Sequence, residues 1–294
     1  MKKNSLKGGQ YGYRVALAPY SLWALIFVLV PLVFVAYYAF TDNQFNFTLD
    51  NIAKFFNSTG MMQNGDGTSR EVHTYVLIAL RSLKLAAIST LVCLLLGYPI
   101  AFIMSRAKER TQKTMMTLIM IPMWMNFLIR TYAWMTIMQD TGILNNFLAA
   151  IGLHRIKLIG TETAVVIGMV YDYLPYMVMP IYSIMAKMDD KLLEAAKDLG
   201  CNTFSTLRRV VFPLSLPGVV SGITMVLIPA VSTFYISQKL GSGKFLLIGD
   251  VIEGQYVANN FHFAAAISLV LMVVLLVAMT IFKYFTDRHV RGGK

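Results

Sequence analysis

The feature that most constrains the fold of this sequence is a series of apolar runs, each about as long as a bilayer is thick. A helix that crosses the hydrocarbon layer needs about 20 apolar residues, because each residue adds about 1.5 Å along its axis. Of the 294 residues, 56% are hydrophobic and 14% are charged, which is too little charge for a soluble protein. We therefore predict an all-α, polytopic membrane protein with six transmembrane helices, at residues 15–40, 85–104, 115–138, 163–185, 216–236 and 263–282.

The basic residues predict the orientation of these spans. The N-terminal segment, the 105–114 loop, the 187–215 loop and the tail from Lys283 hold 17 Lys and Arg residues, whereas the opposite side holds 8. Because cytoplasmic segments carry the excess of positive charge, both termini and the 187–215 loop are predicted to be cytoplasmic. The net charge of +11 is thus a topology signal, and we expect no binding of nucleic acid.

The first run resembles a secretory signal only at its start. It follows four basic residues, but it is too long for the apolar part of a signal peptide and no small-residue cleavage site follows it, so we predict a retained span. The four basic residues are Lys2, Lys3, Lys7 and Arg14.

Residues 42–74 form an external loop with turn residues at Asn64-Gly65-Asp66-Gly67. The segment 70–84 either lies along the membrane surface as a separate helix or extends the second span. The external acids would attract cations, although most of them are expected on a solvated surface: Asp42, Asp50, Asp66, Glu71, Asp250 and Glu253.

Several spans contain helix breakers, which are common in transporters and are tolerated where neighbours or a wet cavity satisfy the freed backbone groups. They predict interruptions in four of the spans. The breakers are Gly97-Tyr98-Pro99, Pro122, Pro175, Pro180 and Pro229.

The polar segment 187–215 has the pattern of a short helix followed by a turn. Asp189 and Asp190 supply the capping oxygens and the negative charge that favour a helix start. Gly200 is typical of the left-handed position that follows a helix C-terminus. Between them, a narrow stripe with a low profile is predicted at Leu192, Ala195, Ala196 and Leu199.

A second short helix is predicted from Thr203, as its capping residue, to about Val211, since Pro213 and Pro217 would stop it and redirect the chain. Two short helices at an angle present a compact surface of small residues to the cytosol. Such a surface suits the docking of a partner protein. The alternative is an amphipathic loop on lipid headgroups, which explains the stripe but not the small residues or the paired helices.

The segment Glu194-Ala195-Ala196, Gly200 and Val210-x-Phe212-Pro213 resembles the EAA motif of binding-protein-dependent ABC importer permeases. The family pattern is E-A-A-x-x-x-G, nine residues, then I-x-L-P; here Val replaces Ile and Phe replaces Leu. The resemblance implies the type I importer permease (MetI-like) fold in a prokaryotic inner membrane. It also implies an ATPase-coupling role for Glu194, Ala195, Ala196, Gly200, Val210 and Pro213.

The resemblance extends over most of residues 75–285, and within the family it is to the spermidine/putrescine permeases of the PotB type. It implies a permease domain at 75–285, between an N-terminal part (1–74) and a cytoplasmic tail (286–294). The implied partners are a homologous second permease, two ATPases that bind ATP and Mg²⁺, and an external polyamine-binding protein. The matching segments are 96–101, 126–132, 174–180, 193–200 and 246–249.

Charged residues at membrane depth point to a translocation path, because burying them in lipid is costly. Arg130 and Asp172 are the two that lie well inside predicted spans. Either they neutralise each other and hold two spans in register, or Asp172 receives a substrate ammonium group while masking Arg130. Polyamines carry several ammonium groups, and aromatic faces bind such groups; candidate rings are Trp124, Tyr132, Tyr173, Tyr176 and Tyr235.

No residue pattern predicts chemistry in this chain. Gly241-Ser242-Gly243-Lys244 departs from a phosphate-binding loop at both flanking positions, and the four histidines lack metal-ligand spacing. We expect no enzyme activity, no metal and no cofactor in this chain. Alternative functions are import of another solute such as ferric ion, sulfate or thiamine, an ion-coupled secondary transporter, or an inert scaffold.

Overall fold

The computed structural model describes residues 17, 19–63 and 69–291. A two-stranded antiparallel hairpin, β1 (Thr59–Gln63) and β2 (Ser69–His73), lies among a series of helices. In chain order the helices are α1 (Pro19–Ala39), α2 (Asp50–Asn57), α3 (Thr74–Arg106), α4 (Glu109–Trp124), α5 (Phe127–Met138), α6 (Ile143–Ala150), α7 (Glu162–Met185), α8 (Asp190–Asp198), α9 (Thr203–Ser232), α10 (Tyr235–Leu240), α11 (Ile248–Val257) and α12 (Phe261–Arg291).

Within the described residues, five helices are long and apolar enough to cross a membrane: α1, α3, α7, α9 and the part of α12 up to Tyr284. The predicted all-α, polytopic class is therefore confirmed. The N-terminal basic residues Lys2, Lys3, Lys7 and Arg14 lie outside the described residues.

The predicted third span, residues 115–138, is interrupted. Its chain forms α4 and α5, which are separated by the extended residues Met125 and Asn126. Pro122 lies in the last turn of α4, and the Asn126 side chain begins α5 by accepting a hydrogen bond from the Leu128 N–H at 2.8 Å. The interruption that the breaker Pro122 predicts in this span is present, because Pro122 and the Asn126 cap together favour a new helix start, and residues 115–138 therefore form two helices rather than one long span.

The second span begins earlier than predicted. Helix α3 runs without interruption from Thr74 to Arg106, a length of 33 residues. The interpretation of residues 70–84 as an extension of this span is therefore correct from Thr74 onwards, whereas residues 70–73 belong to β2, and the separate surface helix is wrong. The strands of the hairpin precede α3, and the predicted turn at residues 64–67 lies outside the described residues.

Most prolines do not interrupt their helices, contrary to the prediction from sequence. Pro99 lies within α3, Pro175 and Pro180 within α7, and α9 continues through Pro217 and Pro229. Membrane helices tolerate proline where neighbouring helices or a local change of helical pitch satisfy the freed carbonyl groups. Among the predicted breakers, Pro122 and Pro229 lie in the last turn of a helix within a predicted span. Helix α4 ends at Trp124 and α9 ends at Ser232, so the predicted span 216–236 is also interrupted.

Chain contacts divide the protein into two compact units. The larger unit comprises Thr59–Glu253 together with the chain from Val274 onwards, and its centre is the packing of α3, α7 and α9. The helices approach closely because small residues lie at their contacts. A Cβ atom at Gly218 would lie 2.8 Å from the Pro180 carbonyl oxygen, and one at Gly222 would lie 2.7 Å from the Met177 sulfur.

The smaller unit comprises the chain up to Ser58 together with Gly254–Val273. His262 joins its two parts, because Nδ1 lies 3.3 Å from the Thr41 hydroxyl and 3.2 Å from the Tyr38 carbonyl oxygen. Nearby, the backbone N–H of Asn46 donates to the carboxylate of Asp42 and lowers the pKa of that group. Asp42 is thereby part of a turn, and His262 has a structural role.

Candidate coupling and translocation sites

The first half of the 187–215 loop forms the predicted helix, α8. The Asp189 side chain caps its start by accepting from the Lys191 N–H at 3.0 Å. At the other end Gly200 has φ +79°, and its N–H donates to the Lys197 carbonyl at 2.8 Å while the Cys201 N–H donates to the Ala196 carbonyl at 3.0 Å. These two bonds form a Schellman motif, which fixes where the helix ends.

The surface of α8 is largely exposed. Glu194 and Ala195 face solvent, Leu199 is 85% exposed, and Ala196 is buried against the chain that follows. Phe204, just beyond the turn, is 70% exposed. The predicted stripe therefore divides into three exposed residues, Leu192, Ala195 and Leu199, and the buried Ala196, which packs at the turn.

The second half of the loop differs from the prediction. Asn202, rather than Thr203, caps the next helix, because its side chain accepts from the Ser205 N–H at 2.8 Å. That helix does not stop at Pro213 or Pro217. It continues as α9 to Ser232.

A widened turn lets α9 pass Pro213, which has no N–H to donate. The Phe212 N–H donates to the Leu207 carbonyl, five residues back instead of four. Val210 lies within this turn and is half-buried, whereas Pro213, two residues beyond the turn, is exposed. The motif residues at 194–200 and 210–213 thus lie on two helices, of which the second is part of a span.

Arg106 connects α8 to two spans. It is the last residue of α3, and its guanidinium donates to the Asp190 carboxylate at the start of α8 and to the Met185 carbonyl, at 2.9 Å, at the end of α7. Sequence reasoning did not identify this residue, because its partners are about 80 positions away. Its effect is to hold the beginning of α8 beside the ends of α3 and α7.

Arg130 and Asp172 are buried together. Arg130 Nε lies 3.3 Å from Asp172 Oδ1, and Arg130 Nη1 donates to the Pro122 carbonyl at 2.8 Å across the break between α4 and α5. Their side chains are 9% and 3% exposed. The structure thus contains the pairing that the sequence offered as one of two alternatives.

The pair is held by charge more than by a well-aligned hydrogen bond. Within the described chain, Arg130 Nε and Asp172 Oδ1 have no hydrogen-bond partner, although they are within ion-pair distance. Asp172 Oδ1 is therefore a buried acceptor that could still accept a hydrogen bond.

The candidate aromatic residues divide into two groups. Tyr173 is buried, with its hydroxyl 3.4 Å from the Pro229 carbonyl, and its ring centre is 6.5 Å from that of Tyr176, which is exposed. Tyr132 on α5 and Tyr235 on α10 form a second pair, with ring centres 6.2 Å apart. Trp124, at the end of α4, is 77% exposed and belongs to neither pair.

Asp250 is an exception among the external acids, most of which are expected on a solvated surface. It is buried on α11, where its carboxylate accepts from the Ser237 hydroxyl at 2.9 Å and from the Leu247 N–H at 2.7 Å. Burial raises its pKa to about 6. Because the Ile248 N–H also donates to the Ser82 hydroxyl at 2.7 Å, this cluster joins α3, α10 and α11.

The segment 241–244, which superficially resembles a phosphate loop, is a turn. Ser242 and Gly243 both have positive φ, at 50° and 68°. The Lys244 N–H donates to the Gly241 carbonyl at 3.1 Å. The backbone N–H of Lys244 therefore closes the turn.

Known proteins resemble this chain in sequence and in fold. The chain is 36% identical over 281 residues to the spermidine/putrescine transport system permease protein PotB of Haemophilus influenzae, covering 92% of each chain. It is 36% identical over 262 residues to the protein of the same description from Escherichia coli K12, covering 86% of this chain and 90% of that one.

Two solved structures share the fold at low identity. A chain in the crystal structure of a bacterial ABC transporter involved in the import of the acidic polysaccharide alginate superposes with a TM-score of 0.76, at 16% identity and covering 96% of each chain. A chain of the inward-facing MetNI methionine ABC transporter gives 0.52 at 18% identity, covering 74% of this chain and 95% of that one. The predicted importer-permease fold is confirmed.

The sequence family described as "Binding-protein-dependent transport system inner membrane component" matches residues 94–292, which include α8, α9 and the Arg130–Asp172 pair. The EAA-like segment, helix α8 and the long apolar helices α7, α9 and α12 are all within this region. The chain therefore belongs to this family of transport-system membrane components and is a multi-pass protein of the inner membrane.

Proposed function

We propose that this chain is a membrane subunit of an ATP-driven importer and forms half of a translocation path for polyamines such as spermidine and putrescine. A homologous second permease supplies the other half, and an external binding protein delivers the substrate. Two separate ATPase subunits bind ATP and Mg²⁺ and move the spans through the 187–215 loop. Both termini and this loop are cytoplasmic, in accordance with the distribution of Lys and Arg.

The observation that carries the proposal is the exposed surface of α8. Leu199 and Phe204 are large apolar side chains left in solvent at the end of a short, capped helix, beside the exposed small residue Ala195. Exposed apolar groups around a small-residue surface are typical of a docking site. A helix resting on lipid headgroups would not need the second helix that begins immediately after Gly200.

The connections of α8 support movement of the spans by a docked partner. The loop continues directly into α9, and Arg106 joins the start of α8 to the ends of α3 and α7. A force on α8 is therefore passed to three spans. ATPase closure would draw the loops of the two permeases together and open the path outward, and hydrolysis would reset it.

The polyamine assignment is supported by the names of the relatives that match over most of the chain. It is also supported by exposed rings on α5 and α7, which suit ammonium groups. Asp172 faces Arg130, so its part in substrate binding requires that a substrate ammonium group replace or join the guanidinium. The candidate path residues are Trp124, Arg130, Tyr132, Asp172, Tyr173, Tyr176 and Tyr235.

Reversing the charge of Glu194 tests the coupling role. Glu194→Arg places a bulky cation on the exposed surface of α8, and we expect co-purified ATPase and spermidine uptake to fall at least about tenfold, the effect of losing a central interface contact. The control is Glu109→Arg, which changes an exposed acid at the start of α4 and leaves α8 intact. Retention of ATPase and uptake by Glu194→Arg would show that α8 is not the coupling surface.

The substrate is tested on the complete complex in proteoliposomes with ATP inside and binding protein outside. We expect uptake of radiolabelled spermidine or putrescine, and no competition by sulfate, thiamine or ferric ion. Competition by one of these solutes would assign the chain to a related importer. Uptake that persists without an ATPase subunit would indicate a secondary transporter.

A further inference from the structure

An ammonium group already lies against aromatic rings in this protein. Lys239 Nζ is 5.1 Å from the ring centre of Tyr132 and 5.5 Å from that of Tyr235. Phe127 adds a third ring, with its centre 5.8 Å from that of Tyr235. These four residues, Phe127, Tyr132, Tyr235 and Lys239, are here called the ring site.

The ring site is built by two helices that meet beyond the end of α9. Phe127 and Tyr132 lie on α5, whereas Tyr235 and Lys239 lie four residues apart on α10 and therefore on the same face of that helix. Tyr132 is exposed, and the other three residues are half-buried. A ligand can therefore approach the rings from outside the packed core of the unit.

Lys239 is held by the two tyrosine rings and by a hydrogen bond to the Tyr132 hydroxyl but, within the described chain, not by a carboxylate. Among the ion pairs of the described residues none involves Lys239, so no carboxylate neutralises its charge at contact distance. An ammonium group on exposed rings is attracted less strongly than one in a buried salt bridge. Because Lys239 also has a flexible four-carbon stem, it can leave the rings without movement of α10.

Arg130 does not take this place. It is two residues before Tyr132, or about 200° around α5, and its guanidinium is held by Asp172 and by the Pro122 carbonyl. It approaches Phe127, with Cζ 6.0 Å from the ring centre. The two tyrosines are therefore the principal faces for an incoming cation.

We propose that the ring site binds a primary ammonium group of the transported substrate, and that Lys239 is an internal competitor that occupies it when substrate is absent. The site takes one end of a flexible diamine or triamine, and Lys239 is displaced as that end arrives. The identity of the natural ligand as a polyamine rests on the proposed function. The ring site itself requires only an alkylammonium.

Displacement can be measured directly on the detergent-purified complex with its partner subunits. The amine reactivity of Lys239 is followed by acylation and mass spectrometry, with n-propylammonium or putrescine as the probe and n-propanol as the neutral control. Lys244, five residues later, is the internal control, because the amine probes consume acylating reagent and lower the acylation of both lysines equally. We expect the ratio of acylation at Lys239 to that at Lys244 to rise severalfold with either cation and not with n-propanol.

Variants give a second, independent measurement by equilibrium binding of labelled putrescine to the complex without binding protein. Removing the competitor in Lys239→Gln should tighten binding about fivefold, the equivalent of about 1 kcal/mol. Tyr132→Leu should weaken it by a similar factor, whereas Tyr132→Phe, which keeps the ring, should bind within about twofold of the wild type.

The outcomes separate this proposal from the proposed function. Unchanged Lys239 reactivity, together with unchanged affinity in Lys239→Gln, would overturn the ring site even in a complex that imports spermidine. Release of Lys239 by n-propylammonium in a complex that imports no polyamine would support the ring site and overturn the substrate assignment. Equal loss of binding in Tyr132→Phe and Tyr132→Leu would show that the hydroxyl, not the ring face, is required, which would also overturn the proposal.

Discussion

The sequence indicated two regions most clearly, helix α8 and the Arg130–Asp172 pair. They differ in whether their side chains find contacts within this chain. Asp172 has its opposite charge within the same chain, 3.3 Å away and buried. Helix α8 instead leaves Leu199 and Ala195 in solvent. From this difference we propose that the charged pair at membrane depth first serves the stability of the chain, whereas the exposed apolar residues of the loop contact a partner protein in a complex. Substitutions at three places in the chain, the Arg130–Asp172 pair, Gly200 and Arg106, test this comparison.

The largest effect is expected from separating the buried pair. Asp172→Asn or Arg130→Met alone should lower the stability of the complex by about 3–5 kcal/mol, because each leaves a buried group without its partner. The double variant should regain much of this loss. The measurement is a double-mutant cycle on thermal unfolding midpoints, with spermidine uptake followed in parallel.

The comparison would fail at this point if the two single changes were additive. It would also fail if Asp172→Asn unfolded like the wild type and lost only substrate affinity. Either result would make Asp172 a substrate contact rather than a structural partner of Arg130.

Replacing Gly200 should lower the stability of the complex less than separating the buried pair does. It should, however, impair transport where the same change at a matched glycine does not. Gly152 is its matched control, since both have φ +79° with open space where a Cβ would be and both end a short helix by the same pair of backbone bonds. Valine at either position should cost about 1–2 kcal/mol, the penalty of a left-handed conformation.

Only Gly200→Val should abolish ATP-driven uptake and ATPase association, measured on complexes purified at equal yield. Equal loss of uptake in Gly152→Val would mean that helix-end geometry in general, and not the coupling surface, limits transport.

The smallest effect is expected from Arg106→Gln, which removes the link between α8 and the ends of α3 and α7. The pair with Asp190 is partly exposed, so its loss should cost about 0.5–1 kcal/mol. We expect the ATPase to stay bound while substrate moved per ATP falls by roughly twofold. Lys113→Gln, which breaks the exposed pair with Glu109 on α4, should leave that ratio unchanged.

Local rules account for what could be predicted from the sequence. The Asp189 cap and the turn at Gly200 depend on residues within a few positions of one another, so α8 was predicted correctly. The long α3 and the path of α9 through Pro217 were not, because neighbouring helices decide whether a membrane helix continues past a proline. Gly218 and Gly222 make that close packing possible.

The functional contacts that the sequence missed join distant residues. Lys239 meets Tyr132 across more than 100 positions, and Arg106 meets Asp190 across 84. Lysine and arginine are common in loops and at the ends of spans. No local sequence pattern therefore distinguishes Lys239 or Arg106 from the other basic residues. Asp250 was missed for a different reason: an acid beside a turn is normally solvated, and only the folded chain brings Ser237 and the Leu247 N–H to it.

The continuity of α9 has a mechanical consequence. With 30 residues from Thr203 to Ser232, the helix is about 45 Å long. A movement of the short helix α8, which precedes it, would be amplified along this length. A tilt of the whole helix by only about 5° about its Thr203 end would move its Ser232 end by about 4 Å over that length. This displacement is close to the distance between Lys239 Nζ and the ring centres of Tyr132 and Tyr235. A small tilt of α9 is therefore enough to form or break a contact of that size near its Ser232 end.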